Sequence, residues 1–401
     1  MQELFKNIKG DKAIWAVVAL LALFSFLPIY SASTNLVYVV GNGTTWGHLA
    51  KHSILLALGF LIIYGVHKIQ YKYFRALSII AMPIVFLLLI FTLAQGDTIG
   101  GANASRWIKV PFVGISFQAS TLASIVLLTH VARYLSKIRN QEKIIFKETL
   151  LPLWLPVFFT LVLILPANFS TTAIIFFMVL MLCFVGGYPL KYLMGIMGVG
   201  LLSLTMFILT AKAFPELFPN RVDTWVSRIE SFADNEDTVA DYQIEKAKIA
   251  IATGGIIGKG AGKSVMKNFL PQSSSDFIYA IIVEEYGLIG ALTLVLLYLF
   301  LLFRIVIVAH KAETVFGKLL VIAVGLPIVF QAFINMAVAV ELFPVTGQTL
   351  PLISSGGTSI WMTCLAIGIV LSVSAKRQEV IEEEKAEDYQ QNPLEILSEQ
   401  L

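Results

Sequence analysis

Pro271-Gln272-Ser273-Ser274-Ser275-Asp276-Phe277-Ile278-Tyr279-Ala280, running on into Glu284-Glu285-Tyr286-Gly287-Leu288-Ile289-Gly290, is the stretch whose reading decides the fold. A polar loop ends in one carboxylate, and an apolar run starts at the next residue. Two more carboxylates follow about two helical turns in. Ionisable groups at the mouth of a membrane span are expensive and read by default as functional. The rest of the chain is then expected to hold Asp276 at a membrane surface.

Composition agrees with that reading. The 401 residues are 57% hydrophobic and 14% charged, with a mean hydropathy of +0.80. Soluble domains carry about 45–50% apolar and about 25% charged residues. The excess cannot be hidden in one aqueous core, so the expected class is an all-α polytopic membrane protein. The net charge of +3 is spread over short loops, which points to no nucleic-acid partner. Cys183 and Cys364 lie inside apolar runs and read as small hydrophobes; no metal-ligand spacing exists. Lys6, Lys9 and Lys12, an apolar run and Ser31-Ala32-Ser33 imitate a signal peptide. That run is long enough to span a bilayer and many more follow, so no cleavage is expected.

A span needs about 20 mostly apolar residues. Ten stretches qualify: 13–31, 50–66, 73–95, 116–135, 152–167, 171–187, 189–211, 277–303, 316–340 and 350–374. With ten spans, one set of loops holds Lys68, Lys72, Arg75, Arg133, Lys137, Arg139, Lys191, Arg304, Lys311, Lys318, Lys376 and more. The short loops of the other set hold only Lys51, Arg106 and Lys109. By the positive-inside rule both termini are cytoplasmic and Asp276 is outside. The transmembrane domain is expected over 1–375, with a large outer loop at 212–276 between the seventh and eighth spans. The acidic, Gln-rich tail 376–401 is expected to be disordered in the cytoplasm.

Five features carry the chemistry. Gly254 to Ser264 looks like a phosphate loop but has Ile257 where the Walker pattern needs glycine. A flexible glycine loop is the main expectation; a backbone cradle for a diphosphate, with Lys259 and Lys263 as point charges, is the sharper one. Asp276 stands where an N-cap would, and a cap at a wet rim can also accept a proton; both readings stay open. Glu284 and Glu285 lie deeper and are expected to be structural intramembrane acids paired with Lys or Arg. Arg106-Trp107-Ile108-Lys109 reads as an interfacial anchor or as a phosphate clamp. Finally, 344–359 places prolines, glycines and hydroxyls in an apolar region. Broken backbone at that depth must be buried in protein or line a cavity, so a polar vestibule near the outer face is expected.

These residues together resemble the SEDS family (shape, elongation, division and sporulation), whose division branch is typified by FtsW and elongation branch by RodA. The likeness rests on Gly101-Ala102 with Arg106-Trp107-Ile108, on Arg221, Arg228 and Tyr242-Gln243, on Gly254-Gly255 with Gly258 and Gly260, and on 270–290 and 344–359. Leu350-Pro351-Leu352-Ile353-Ser354, Gly10-Asp11-Lys12 and Tyr30-Ser31-Ala32-Ser33 look like the FtsW branch, and Pro344-Val345-Thr346-Gly347 like the RodA branch. The FtsW branch is the closer.

The resemblance implies a glycosyltransferase that polymerises lipid II into peptidoglycan outside the cytoplasmic membrane at the division septum. Asp276 is then its essential carboxylate, and a class B penicillin-binding protein and other divisome membrane proteins are its partners. Arg106, Trp107, Lys109, Gln118, Arg221, Arg228, Lys259, Lys263, Thr346, Gln348, Ser354 and Ser355 become the expected substrate contacts. A divalent cation, Mg or Mn, is an open option for the departing diphosphate. A lipid II flippase, an elongation-type polymerase and a non-catalytic activator of a penicillin-binding protein remain as alternatives. The chain also departs from the family pattern. Its acid and base in the fourth span are replaced by Thr121 and Ser124, its Asp before the sixth span by Asn168, and the acid of its L-P-E by Gln272.

Overall fold

The computed structural model describes residues 8–38, 41, 43–95, 107–109, 116–141, 143–213 and 239–391. Every apolar stretch found above becomes a helix. In chain order these are α1 Lys12–Tyr38, α2 Thr45–Val66, α3 Tyr73–Gln95, α4 Ala119–Ile138, α5 Phe146–Ile164, α6 Phe169–Val185 and α7 Leu190–Ala213. After helix α8 Val239–Gly254 come α9 Ile278–Lys311, α10 Val315–Ala339 and α11 Ser359–Gln391. Among the described residues eight helices are long and apolar enough to cross a membrane; α6 has only 17 residues, and α4 is not among the eight. The strands β1 Trp107–Lys109 and β2 Ser116–Gln118 form an antiparallel pair that leads into α4.

The limited apolarity of α4 follows from its place. It packs against α3, α5, α6, α10 and α11, and most of its side chains are buried. A helix wrapped in protein needs no lipid-facing stripe, so it can carry Ser120, Thr129, His130 and Arg133. The peripheral helices do the reverse. Leu77, Ile80, Ile84 and Leu87 on α3 and Leu292, Leu296 and Phe303 on α9 are exposed, as lipid contact requires. One polar group of α4 repairs a neighbour. Pro156 has no N–H for the Pro152 carbonyl, the backbone shifts to a π-turn at Leu150–Trp154, and the ring Nε2 of His130 lies 2.9 Å from that carbonyl oxygen.

The two ends of the bundle differ in kind. At one end Arg304 grips Asp11, Tyr71 meets Thr314 at 3.1 Å, and the Ser372 hydroxyl donates to the Ile69 carbonyl. These contacts gather the loops rich in Lys and Arg. At the other end stand 254–277, 344–358, Asn168 and Gln118. Asp276 and Arg304 lie near opposite ends of α9, about 40 Å apart along its axis.

One expectation is corrected. The last span does not begin at 350: Leu350–Thr358 is non-helical, and α11 starts at Ser359. Beyond 376 the segment to Gln391 continues α11. That segment is rich in Glu, Lys, Gln and Ala, good helix formers, and it extends a helix already nucleated by the membrane span. Residues 392–401 lie outside the described residues.

Candidate active site

A non-helical segment at membrane depth must have its backbone groups satisfied. Side chains of buried helices supply the partners for 344–358. The Tyr298 hydroxyl of α9 donates to the Pro351 carbonyl at 2.5 Å. From α10, Gln331 Nε2 donates to the Thr349 carbonyl at 2.9 Å and Asn335 Nδ2 to the Gln348 carbonyl at 2.7 Å. The segment also binds the loop before α9. The Ser355 N–H donates to the Ser274 carbonyl at 2.9 Å, and the Ser354 hydroxyl to the Ser275 carbonyl at 2.6 Å. Asn335 Nδ2 donates a second bond, 2.7 Å long, to the carbonyl of Asp276 itself.

Asp276 is therefore held by its own main chain and its neighbours', and it is half-buried. It is not the helix cap. The N-cap position of α9 falls one residue later, on Phe277, and carries no side-chain cap bond. Phe277 is buried in an apolar cluster with Ile244, Leu270, Val338 and Val345, against which Ile334 packs. Beside this cluster lies a cavity of about 590 Å³ between α6 and α10. Phe177, Met178, Phe330, Phe333 and Ile334 make its apolar walls, and Asn168, Ser170 and Thr346 its polar lining. Where a polar vestibule is expected at 344–359, the cavity is mainly apolar, and of that segment Pro344, Val345 and Thr346 line it.

The glycine run beside it is neither flexible nor a free cradle. α9 breaks at Gly287 (φ 63°, ψ −162°), which separates the carbonyls of Glu284 and Glu285 from the N–H groups of Leu288 and Ile289. The 255–260 turn closes the gap. Lys259 N and Gly260 N donate to the Glu284 and Glu285 carbonyls at 2.9 Å each. Leu288 N donates to Gly255 O at 2.9 Å and Ile289 N to Ile256 O at 3.3 Å. A Cβ on Gly258 or Gly287 would overlap the backbone it faces, so glycine here permits contact between two main chains. The N–H groups of a diphosphate cradle are thereby occupied. Lys259 is engaged as well: its Nζ lies 2.6 Å from Glu284 Oε1 and 2.9 Å from the Thr253 hydroxyl.

Glu284 is fully buried and accepts further bonds from the Ser264 hydroxyl and from the N–H groups of Val265 and Met266. Glu285 accepts from the Ser31 hydroxyl of α1 and from Ser264 N at 3.2 Å. Lys267 Nζ reaches the same Ser31 hydroxyl at 3.1 Å. Both acids thus tie the loop after α8 to the helices below it. Lys263 is exposed on that loop. Among the described residues no three His, Cys, Asp or Glu side chains cluster to hold a metal ion.

The FtsW/RodA/SpoVE family model, described as a cell cycle protein, matches residues 11–379. The chain belongs to this family. Its relatives include proteins named probable peptidoglycan glycosyltransferase FtsW from Coxiella burnetii, 30% identical over 90% of this chain and 95% of that one, and from Nitrosomonas europaea, 32% identical over 90% and 92%. Among solved structures, a chain of a peptidoglycan synthase complex that coordinates polymerization and crosslinking superposes with a TM-score of 0.71 at 26% identity, over 92% of this chain and 98% of that one. The Thermus thermophilus rod shape determining protein RodA shares the fold, with a TM-score of 0.63 at 24% identity over 91% and 96%.

Within the FtsW/RodA/SpoVE pattern, two departures of this chain meet in one place. Thr121 and Ser124 line a cavity of about 80 Å³ with Thr171, Gln331, Gln348 and Ser359. Neutral hydroxyls and amides supply the polar lining of that cavity, so no charged group is buried in it. Gln348 Nε2 donates to the Thr171 hydroxyl at 3.0 Å, and Gln118 Nε2 to the Ser120 hydroxyl at 3.1 Å. Of the expected substrate contacts, Thr346, Gln348, Ser354 and Ser355 gather around Asp276 or the large cavity; Lys259 does not, and Gln118 stands at the start of α4. Arg106, Arg221 and Arg228 lie outside the described residues, and only the backbones of Trp107 and Lys109 are described. Asn335 was missed by the sequence reading. Its signal was an amide, one turn after Gln331, in the apolar run 328–340, the kind of polar residue in a span that marks a partner.

Proposed function

We propose that this membrane protein is a peptidoglycan glycosyltransferase of the division type, polymerising lipid II at the outer face of the cytoplasmic membrane, with Asp276 as its base. The Lys- and Arg-rich end faces the cytoplasm, which puts Asp276 outside. The observation that carries the reading is the seating of Asp276: its backbone is fixed from α10 and from 344–358, beside an apolar cavity with a polar lining. An isoprenoid-linked sugar has the matching chemistry, an apolar tail below a charged diphosphate.

The Asp276 carboxylate accepts the proton of the acceptor sugar's 4-hydroxyl as that oxygen attacks the anomeric carbon of the donor. The bond to the diphosphate breaks, and configuration at that carbon inverts. A diphosphate leaves as a stable anion, so the second carboxyl that a glycosidase uses to protonate its leaving group is not required. One carboxylate is sufficient, in keeping with the neutral side chains at 121, 124 and 168. Lys263 supports the developing negative charge from the loop above. A class B penicillin-binding protein crosslinks the product, and the pair works at the septum.

Purified full-length protein, with and without such a partner, is incubated with lipid II, and glycan length is read on gels. The proposal expects polymer from the wild type and none from Asp276→Asn. Transport of labelled lipid II across proteoliposomes without polymer would replace it with a flippase.

A further inference from the structure

α8 does not lie across the end of the bundle; it points into it. Lys248, midway along α8, pairs with Glu341 just past the end of α10. Ile244, Ala247 and Ala250 share an apolar cluster with Phe277, Ala280 and Ile281 at the entry of α9. Gly254, at the end of α8, stands so close to the Val283 carbonyl that a Cβ would overlap it. α8 therefore descends beside the first turns of α9, and the 255–260 turn reverses the chain at the Gly287 break. Helix rise gives the depth. Arg304 pairs with Asp11 at the start of α1 and marks the far face of the bilayer. Counted from Arg304 along α9, Ile289 and Leu288 lie about 22–24 Å away. The hydrocarbon core is about 30 Å thick, so the tip of the turn sits about 6–8 Å inside it.

Side chains and main chain both suit that depth. Ile256 and Ile257 are 69% and 79% exposed, and Leu288, Ile289 and Leu292 beside them on α9 are exposed as well. The two isoleucines thus continue the lipid-facing surface of α9. Hydrocarbon tolerates a non-helical turn only where its polar backbone groups are satisfied. Here the Gly255 and Ile256 carbonyls accept from Leu288 and Ile289, and the N–H groups of Gly258, Lys259 and Gly260 donate to the Gly254, Glu284 and Glu285 carbonyls. The stretch 219–238 before α8 offers no apolar cover at that level, since seven of its side chains are Asp, Glu or Arg.

We propose that α8 and the 255–260 turn form a re-entrant hairpin whose tip, Ile256 and Ile257, inserts among the lipid acyl chains of the leaflet on the Asp276 side. The segment that leads on to Asp276 is thereby tied to the bilayer itself as well as to the helices. The insertion rests on helix lengths and packing. It depends neither on the chemistry at Asp276 nor on which face of the membrane is cytoplasmic.

Cys183 and Cys364 are buried, so one added surface cysteine can be spin-labelled selectively. The full chain carrying Ile257→Cys or Glu245→Cys is labelled and reconstituted in nanodiscs of phosphatidylethanolamine and phosphatidylglycerol. Power-saturation EPR then reads collisions of the label with oxygen, which concentrates in hydrocarbon, and with a water-soluble nickel chelate. Glu245 is exposed on α8, more than two turns before the tip. The label at 257 should meet oxygen more often than nickel, and the ratio should reverse at 245. Ile256→Cys gives the same reading should Ile257→Cys fail to stay monodisperse. An excess of nickel collisions at the tip would put the turn in water and overturn the proposal. Few collisions with either reagent would show the tip covered by protein and overturn it too. An oxygen excess at both 257 and 245 would overturn the descent of α8.

Discussion

The side-chain amide of Asn335 donates to the main-chain carbonyl of Asp276 and to that of Gln348, each at 2.7 Å. Asn335 is 1% exposed. One buried amide thus fixes the candidate base against the 344–358 segment, and the side chain cannot be flipped without aiming its oxygen at two carbonyls. Asn335→Ala leaves both carbonyls without this donor, at about 1–3 kcal/mol for each buried group left unsatisfied. Polymerisation of lipid II should fall by roughly tenfold or more, with a larger effect on kcat than on KM. Steady-state kinetics alongside thermal unfolding in detergent check this; a drop in melting temperature with unchanged kcat would contradict it.

Asp276→Asn should remove activity by about 10²–10⁴-fold, the usual worth of a general base. Stability should change little, because Asn keeps the size and hydrogen-bonding reach of the side chain it replaces. A large loss of melting temperature in this variant would show that the carboxylate holds the fold rather than the proton.

Gly287→Ala is expected to be among the most damaging single substitutions in the chain. Its φ of 63° disfavours any Cβ, and the Cβ would also strike the backbone of the 255–260 turn. The cost should exceed about 1 kcal/mol, and it should appear as low yield of monodisperse protein. Gly195→Ala in α7 is a useful contrast, since nothing lies within 4 Å of where its Cβ would stand. Equal yields from the two variants would argue against a rigid backbone contact at Gly287.

Lys259→Met strands the fully buried Glu284 with only neutral donors, at about 3 kcal/mol or more for breaking one side of a buried pair. Lys259→Met/Glu284→Gln removes both charges and should recover most of the stability and activity. Recovered stability without recovered polymerisation would return Lys259 to the substrate site.

Much of this was legible in the sequence. The apolar stretches, the segregation of Lys and Arg between loops and the carboxylate before an apolar run are properties of short segments. A bilayer acts on each segment separately: a span must be apolar over its own length, and its flanking charges set its own orientation. That is why the break at Asn168 could be read without coordinates, and the broken backbone of 344–359 could be read in part, although the last span starts at Ser359 rather than at 350.

Pairing could not be read that way. The N-cap of α9, the closing of the break at Gly287 by residues some thirty positions earlier, the Lys259–Glu284 pair and the hold of Asn335 on Asp276 each join segments far apart in the chain. Glycines at 254–260 look the same in sequence whether they free a loop or let two backbones touch. By itself the sequence determined that this is a helical membrane protein with an acidic residue at the mouth of a span. Which backbone groups that residue leans on was decided only when the helices packed, because a hydrogen bond depends on two positions at once and hydropathy on one.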